Sequence, residues 1–105
     1  MSSEPKQSVS SSSGRILIVD DQRNMRTTLS MLLRSSGYSV DEAENGHQGV
    51  ELGAGECYDI VLTDLRLGEP DGLEVLRAVK EAQPGSEVIV MTAGIPQRLK
   101  GSVHV

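Results

Sequence analysis

Arg15-Ile-Leu-Ile-Val-Asp-Asp21 is the stretch of sequence that decides the fold. Its four aliphatic residues run directly into two acids. A continuous apolar run of this length is typical of a strand that is buried on both faces, as in a parallel sheet. Two similar segments, over residues 59–63 and 88–91, run into Asp64 and Thr92. The sequence therefore predicts several buried parallel strands that end in polar side chains.

Segments with helical periodicity lie between these strands. The predicted apolar face of residues 24–36 consists of Met25, Leu29, Leu32 and Leu33, and Gly37 ends the helix. A second amphipathic helix is predicted from Asp71-Gly72 to Pro84, and a short strand over 38–43. Asn45-Gly46 is a turn signal. A short helix is predicted around Val50 and Leu52, although each interior glycine weakens it by about 1 kcal/mol. This alternation predicts βαβ units and an α/β fold with helices on both faces of a parallel sheet.

Composition restricts the class of protein. The chain is long enough for one small domain, and its net charge of -5 without a basic stripe disfavours direct nucleic acid binding. Cys57 is the single cysteine, so the chain has neither an intrachain disulfide nor a cysteine metal cluster. Residues 1–13 are Ser-rich and polar, which predicts a disordered tail rather than a secretory signal. The sequence contains no membrane-length apolar run, and we expect a soluble cytoplasmic protein.

The polar strand ends predict a site. In an open parallel sheet, ligands bind beyond the carboxyl ends of the strands, so Asp20, Asp21 and Asp64 are expected to converge. Like charges this close require a cation, and a ligand set made only of oxygen favours Mg²⁺. Asp64 stands alone at its strand end and is the candidate nucleophile for a phosphoryl group, while Thr92 offers a hydroxyl to a phosphate oxygen. A simpler alternative is that the acidic pair merely caps the first helix.

Four blocks of sequence together resemble the receiver domains of two-component response regulators. The blocks are Ile16-Leu-Ile-Val-Asp-Asp21, Asp64-Leu-Arg-Leu67, Asp71-Gly-Leu-Glu-Val-Leu76 and Val88-Ile-Val-Met-Thr-Ala93. They cover residues 15–93, in the family's order and spacing, and look most like NtrC-like activators. The resemblance implies the flavodoxin-like (CheY-like) fold with strand order 2-1-3-4-5, within a receiver domain over residues 14–105.

The same resemblance implies the roles of the site residues. Asp64 would take a phosphoryl group from a sensor histidine kinase or a small phosphodonor, in the presence of Mg²⁺. Asp21 would bind Mg²⁺ directly, Asp20 largely through water, and the backbone carbonyl of Arg66 would be a further ligand. Thr92 would be the switch hydroxyl. Beyond self-phosphorylation and autodephosphorylation, no enzymatic activity is expected.

The sequence after Thr92 departs from the family pattern. Receivers usually continue with a helix, a fifth strand that ends in a lysine, and a last helix. Lys100 follows too soon for that arrangement, so we expect a C-terminally incomplete, truncated receiver that lacks the usual fifth strand and last helix. A short edge strand over 99–105 is a further alternative. Gly68 also stands where a proline is usual, and only the stiffness of that loop is expected to change.

Two alternatives to a phosphoacceptor stay open from the sequence. One is a receiver fragment that acts only through protein–protein interaction, either by self-association or by pairing with an output protein. Such a fragment could equally be inactive. The other is a Mg²⁺-dependent phosphohydrolase. It is disfavoured because such enzymes place Asp-x-Asp after the first strand, whereas Asp20 and Asp21 are adjacent. Neither alternative predicts contact with a membrane.

Overall fold

The computed structural model describes residues 14–92 and the backbone of 95–99. The strands are β1 (Arg15–Val19), β2 (Ser39–Ala43), β3 (Ile60–Asp64), β4 (Glu87–Thr92) and β5 (Ile95–Leu99). The helices are α1 (Arg23–Ser35), α2 (Gly46–Gly55) and α3 (Gly72–Ala82). Within the described ranges, no helix has the length and apolar character that crossing a bilayer requires. The tail predicted over residues 1–13 lies outside the described residues.

One five-stranded sheet has the order β2-β1-β3-β4-β5. Strand β1 pairs in parallel with both β2 and β3, and β3 pairs in parallel with β4. Hydrophobic side chains fill both faces of this parallel part. The larger buried cluster, against α2 and α3, includes Leu17, Val19, Val61, Val75, Val79 and Val88. The smaller cluster, against α1, has Ile16, Ile18 and Val40 as its buried members. The predicted parallel α/β fold is confirmed.

Strand β5 is antiparallel to β4, with Met91 opposite Pro96 and Val88 opposite Leu99. The usual parallel fifth strand and last helix are absent from the described part of the chain, as predicted. An antiparallel edge strand lies beside β4 in their place. It begins four residues before the edge strand predicted over 99–105. Residues 100–105 of that predicted strand lie outside the described residues. Only two residues separate β4 from β5. A connection this short can join antiparallel strands, whereas a parallel neighbour needs a crossover of a dozen or more residues.

The apolar face of α1 is narrower than its periodicity predicts. Leu29 and Leu33 pack against the smaller core cluster, as expected. Leu32 is 59% exposed, so its predicted place in the core is wrong. The side chain of Arg26 donates to the Glu42 carboxylate at 3.1 Å, which ties α1 to the outer strand β2. Leu32 lies outside the face of α1 that packs on the sheet.

Side-chain caps define the starts of α2 and α3. The Asn45 side chain accepts a hydrogen bond from the Gln48 backbone N–H at 2.8 Å, so Asn45 is the helix N-cap and not part of a free turn. Asp71 and Glu74 form a reciprocal capping box at the start of α3. Both caps satisfy backbone donors that otherwise have no partner in the first turn.

Helix α2 is a full ten-residue helix despite its glycines. A Cβ on Gly49 would lie 2.8 Å from a methyl of Val19, and one on Gly53 would lie 2.6 Å from a methyl of Val79. These glycines therefore allow α2 to approach β1 and α3 more closely than any larger residue would. Helix propensity counts glycine only as a loss of backbone entropy on folding. The close packing of α2 that these glycines allow offsets that loss.

Candidate functional site

Three carboxylates meet at the carboxyl edge of the sheet. Strand β1 runs directly into Asp20 and Asp21, and β3 ends at Asp64. Because β1 and β3 are paired neighbours, with Val19 opposite Thr63, these ends lie side by side. One oxygen from each carboxylate lies within 4.8 Å of the other two. The convergence predicted from the strand ends is present in the structure.

Asp20 is the buried member of the group, with 3% of its surface exposed. Its Oδ1 accepts a hydrogen bond from the Gln22 backbone N–H at 2.8 Å, and its carbonyl accepts one from Arg26 Nη1 at 2.8 Å. Burial raises the pKa of the Asp20 carboxyl, and the charges of Asp64 and Asp21 raise it further. The Gln22 N–H and the Arg26 charge act in the opposite direction. The anionic form of Asp20 is therefore costly unless a cation compensates it.

The capping interpretation of the acidic pair is wrong. The N-cap of α1 is Gln22, and no side chain makes a cap hydrogen bond there. Asp21 is exposed and has no hydrogen-bond partner in the part of the chain that the structure describes. Neither acid is the N-cap of α1, and the Asp21 carboxylate remains available to a ligand.

Asp64 is held by the backbone around it. Its Oδ1 accepts a hydrogen bond from the Arg66 backbone N–H at 3.3 Å, and the Leu65 N–H donates to the Met91 carbonyl at 3.0 Å. A Cβ on Gly72 would collide with the Asp64 carbonyl, so only glycine lets α3 begin this close to the strand end. The sequence identified Gly72 only as part of a helix start, because its close contact depends on how the loop after Asp64 folds back on the strand end.

The loop after Asp64 also needs a glycine. Gly68 has a φ of 86°, in the region that side chains disfavour, and an added Cβ there would meet nothing within 4 Å. A proline ring fixes φ near −65° and is incompatible with this conformation. The expectation that this position alters only loop stiffness is therefore incomplete, because the backbone conformation differs as well.

A cavity of about 460 Å³ opens over the carboxylates. Its described lining consists of Asp20, Asp21, Gln22, Met25, Asp64, Arg66 and Met91. Sequence reasoning did not select Gln22, Met25 or Met91 as site residues. Gln22 follows the acidic pair directly, which is a usable signal. The two methionines were assigned to a helix face and a strand, where their side chains resemble ordinary core residues.

Thr92 lies at the end of β4, one residue beyond Met91, which is paired with Asp64. Its side chain is half-buried and is not among the described residues that line the cavity. The switch role of Thr92 stays a prediction, as does metal ligation by the Arg66 carbonyl.

The donor set fits a hard divalent cation. Three carboxylates supply only oxygen, they repel one another, and one of them is buried. Mg²⁺ accepts a few protein oxygens and retains water in its remaining positions, which suits an open cavity. A divalent ion here would compensate the negative charge and accept a phosphate oxygen as a further ligand.

Comparison with known proteins gives consistent similarities. The response regulator receiver domain family matches residues 16–101. The transcriptional regulatory protein ResD of Bacillus subtilis is 39% identical over 79 residues, which are 75% of this chain and 32% of ResD. ZraR of Klebsiella oxytoca is 44% identical over 78 residues, which are 74% of this chain and 18% of ZraR. The chain thus spans a third or less of these curated relatives.

Two similar solved structures contain ligands. The response regulator TrrA of Thermotoga maritima, in complex with Mg²⁺-BeF, has a TM-score of 0.71 at 35% identity, covering 75% of this chain and 69% of TrrA. A response regulator of Burkholderia pseudomallei, with a phosphorylated aspartic acid, a calcium ion and citrate, has a TM-score of 0.69 at 29% identity. That match covers 74% of this chain and 46% of the other.

Proposed function

This chain belongs to the response regulator receiver domain family, and from that premise we propose that it accepts a phosphoryl group on Asp64. The predicted family is confirmed, and the match to ZraR agrees with the predicted NtrC-like type. The observation that carries the proposal is the convergence of three carboxylates from two adjacent strands within 4.8 Å. The Mg²⁺-BeF complex of TrrA and the phosphorylated aspartic acid of the Burkholderia protein support it.

In the proposed reaction, a carboxylate oxygen of Asp64 attacks the phosphorus of a phosphohistidine or of acetyl phosphate. The new bond joins that oxygen to phosphorus, the bond from phosphorus to the donor breaks, and the donor leaves with the electron pair. Asp20, Asp21, Asp64 and the carbonyl of Arg66 would hold Mg²⁺, which neutralises charge on the phosphoryl oxygens when bound. The Thr92 hydroxyl would donate to one phosphoryl oxygen.

The proposed phosphodonor partner is a sensor histidine kinase. Receiver domains are phosphoacceptors with weak autodephosphorylation and not turnover enzymes in the usual sense. The cytoplasmic location and the absence of direct nucleic acid binding remain predictions from composition. The matched relatives are transcriptional regulators of which this chain covers a part, so their output belongs to the longer proteins.

Mass spectrometry of the intact protein tests the proposal. With acetyl phosphate and Mg²⁺, we expect the wild-type chain to gain one phosphoryl group and Asp64→Asn to gain none. Asp59→Asn is the matched control, because Asp59 lies near the opposite edge of the sheet and an asparagine oxygen can still accept from the Arg15 N–H. An unlabelled wild-type chain in the presence of Mg²⁺ contradicts the proposal.

A receiver that acts only through protein interaction is a second candidate. The antiparallel β5 favours it, because this strand replaces the parallel strand that the family resemblance implies. Such a protein would bind a histidine kinase, an output protein or a second copy of itself without phosphorylation. Calorimetry with the kinase distinguishes the two: affinity unaffected by Asp64→Asn, together with no labelling, supports interaction alone.

A further inference from the structure

The described lining of the cavity has an uneven charge. Asp20, Asp21 and Asp64 supply three carboxylates, and Arg66 is the only cationic side chain among the described lining residues. A phosphoryl group approaching this cavity is an anion and is repelled by the carboxylates that are to receive it. A divalent cation offsets part of that repulsion, and the positive charge of a lining arginine would offset more of it.

Arg66 differs from the arginines that hold the fold together. Arg15 and Arg26 each bind carboxylates, at distances of 2.9 to 3.1 Å. Arg34 donates to the Val40 carbonyl at 2.9 Å. The Arg66 side chain is exposed and has no hydrogen-bond or ion-pair partner in the described part of the chain. It is therefore free to contact a ligand without breaking a structural contact.

The position of Arg66 is fixed by its backbone. Its N–H donates to Asp64 Oδ1 at 3.3 Å, so the residue is anchored to the carboxylate that is the proposed phosphoacceptor. A guanidinium presents paired N–H donors in one plane, which match two oxygens of a phosphoryl group. The backbone of Arg66 is hydrogen-bonded to Asp64, and its side chain has no described partner. This combination suits a side chain that binds an anion at Asp64.

We propose that the Arg66 guanidinium binds the phosphoryl group on Asp64 and supplies positive charge that offsets the three carboxylates. This inference rests on the proposed phosphorylation of Asp64. It assigns to the side chain of Arg66 a role separate from that of its backbone carbonyl. The guanidinium attracts the anionic phosphoryl group and repels the metal ion, so its removal must change the two affinities in opposite directions.

Isothermal titration of Mg²⁺ alone, and of beryllofluoride in saturating Mg²⁺, tests this sign reversal. For Arg66→Ala we expect beryllofluoride to bind about tenfold more weakly, because a charged hydrogen-bond donor is lost. We expect Mg²⁺ to bind about threefold more tightly, because a nearby positive charge is lost. Arg66→Lys should retain the wild-type Mg²⁺ affinity and lose part of the beryllofluoride affinity. Arg77→Ala is the matched control, since Arg77 is exposed on α3 and away from the cavity lining.

Each result decides the question. Opposite changes in Arg66→Ala, absent from Arg77→Ala, support the proposal. Parallel losses of both affinities overturn it, because they indicate that the loop has lost its shape. Unchanged affinities overturn it too. If wild-type protein is phosphorylated on Asp64 while Arg66→Ala behaves as wild type, the inference alone fails; if wild-type protein takes no phosphoryl group, the proposed function fails with it.

Discussion

The acidic side chains at the two ends of the parallel strands differ in the partners that the protein gives them. Near the start of β1 and β3, Arg15 Nη2 binds Asp41 at 3.1 Å and Glu56 at 2.9 Å. The Tyr58 hydroxyl donates to Asp41 at 2.6 Å, and the Arg15 N–H donates to Asp59 at 2.8 Å. The Arg15 guanidinium also lies 4.7 Å from the centre of the Tyr58 ring. We call these five residues the amino-edge cluster.

At the opposite edge, the three site acids have few internal partners. Asp20 and Asp64 each accept one backbone N–H, and Asp21 has no described hydrogen bond. No described lysine or arginine forms an ion pair with any of the three. The comparison separates two uses of carboxylates in one small domain. Those of the amino-edge cluster are compensated by the protein itself, and those of the site are left for a ligand from solution.

Removing a site carboxylate should have the largest effect. We expect Asp21→Asn to weaken Mg²⁺ binding about a hundredfold, because a charged ligand is lost while the fold keeps all its described hydrogen bonds. Isothermal titration measures the affinity. Glu56→Gln in the amino-edge cluster is the control and should remain within about twofold of wild type. Equal Mg²⁺ affinities for Asp21→Asn and wild type would show that the acids of the two edges do not differ in this way.

A change in the amino-edge cluster should act on stability alone. We expect Tyr58→Phe to lower the free energy of unfolding by about 1–2 kcal/mol, because the hydroxyl bond to Asp41 is lost in a mostly buried position. Urea denaturation measures this loss, and Mg²⁺ affinity should not change. Tyr38→Phe is the control, since Tyr38 packs beside the smaller core cluster without a described hydroxyl partner. Equal losses in both variants would remove any special role for the Asp41 bond.

The smallest predicted effect is a dependence of stability on pH. The pKa of Asp20 is raised above its ordinary 3.8, chiefly by burial, so the folded state binds its proton more tightly than the unfolded state does. Stability without Mg²⁺ should therefore fall as pH rises from about 3.8 through the raised pKa. Asp20→Asn should remove this part of the decline.

Urea denaturation across that pH range, in Mg²⁺-free buffer, compares wild type with Asp20→Asn. The asparagine oxygen can still accept from the Gln22 N–H, so the variant changes charge with little change in contacts. Saturating Mg²⁺ should reverse the order of stability at neutral pH, because only the wild type retains all three carboxylates. A parallel pH decline in both proteins would assign the effect to other groups.

Much of the fold followed from local patterns. The bounds of β1 match the apolar run, and Gly37 ends α1 with a φ of 100°, as its type predicts. Two details depend on packing that local patterns do not contain. Helix α2 forms because Gly49 and Gly53 fit against neighbouring elements, and propensity alone does not include that packing. Leu32 is exposed although periodicity places it on the apolar face of α1, because periodicity gives the spacing of apolar residues and not the width of the face that is buried.

For this protein, the sequence by itself determined which strands end in acids and therefore which carboxylates share one edge. The residue type at each strand end is a local property of the sequence. A parallel sheet places the carboxyl ends of its strands at one edge, so these acids come together there. Tertiary structure alone decided that Arg66 lines the cavity without a partner among the described residues, and that the two methionines also line it. Those features depend on which surfaces meet across long stretches of chain, and no local pattern of residues specifies such contacts.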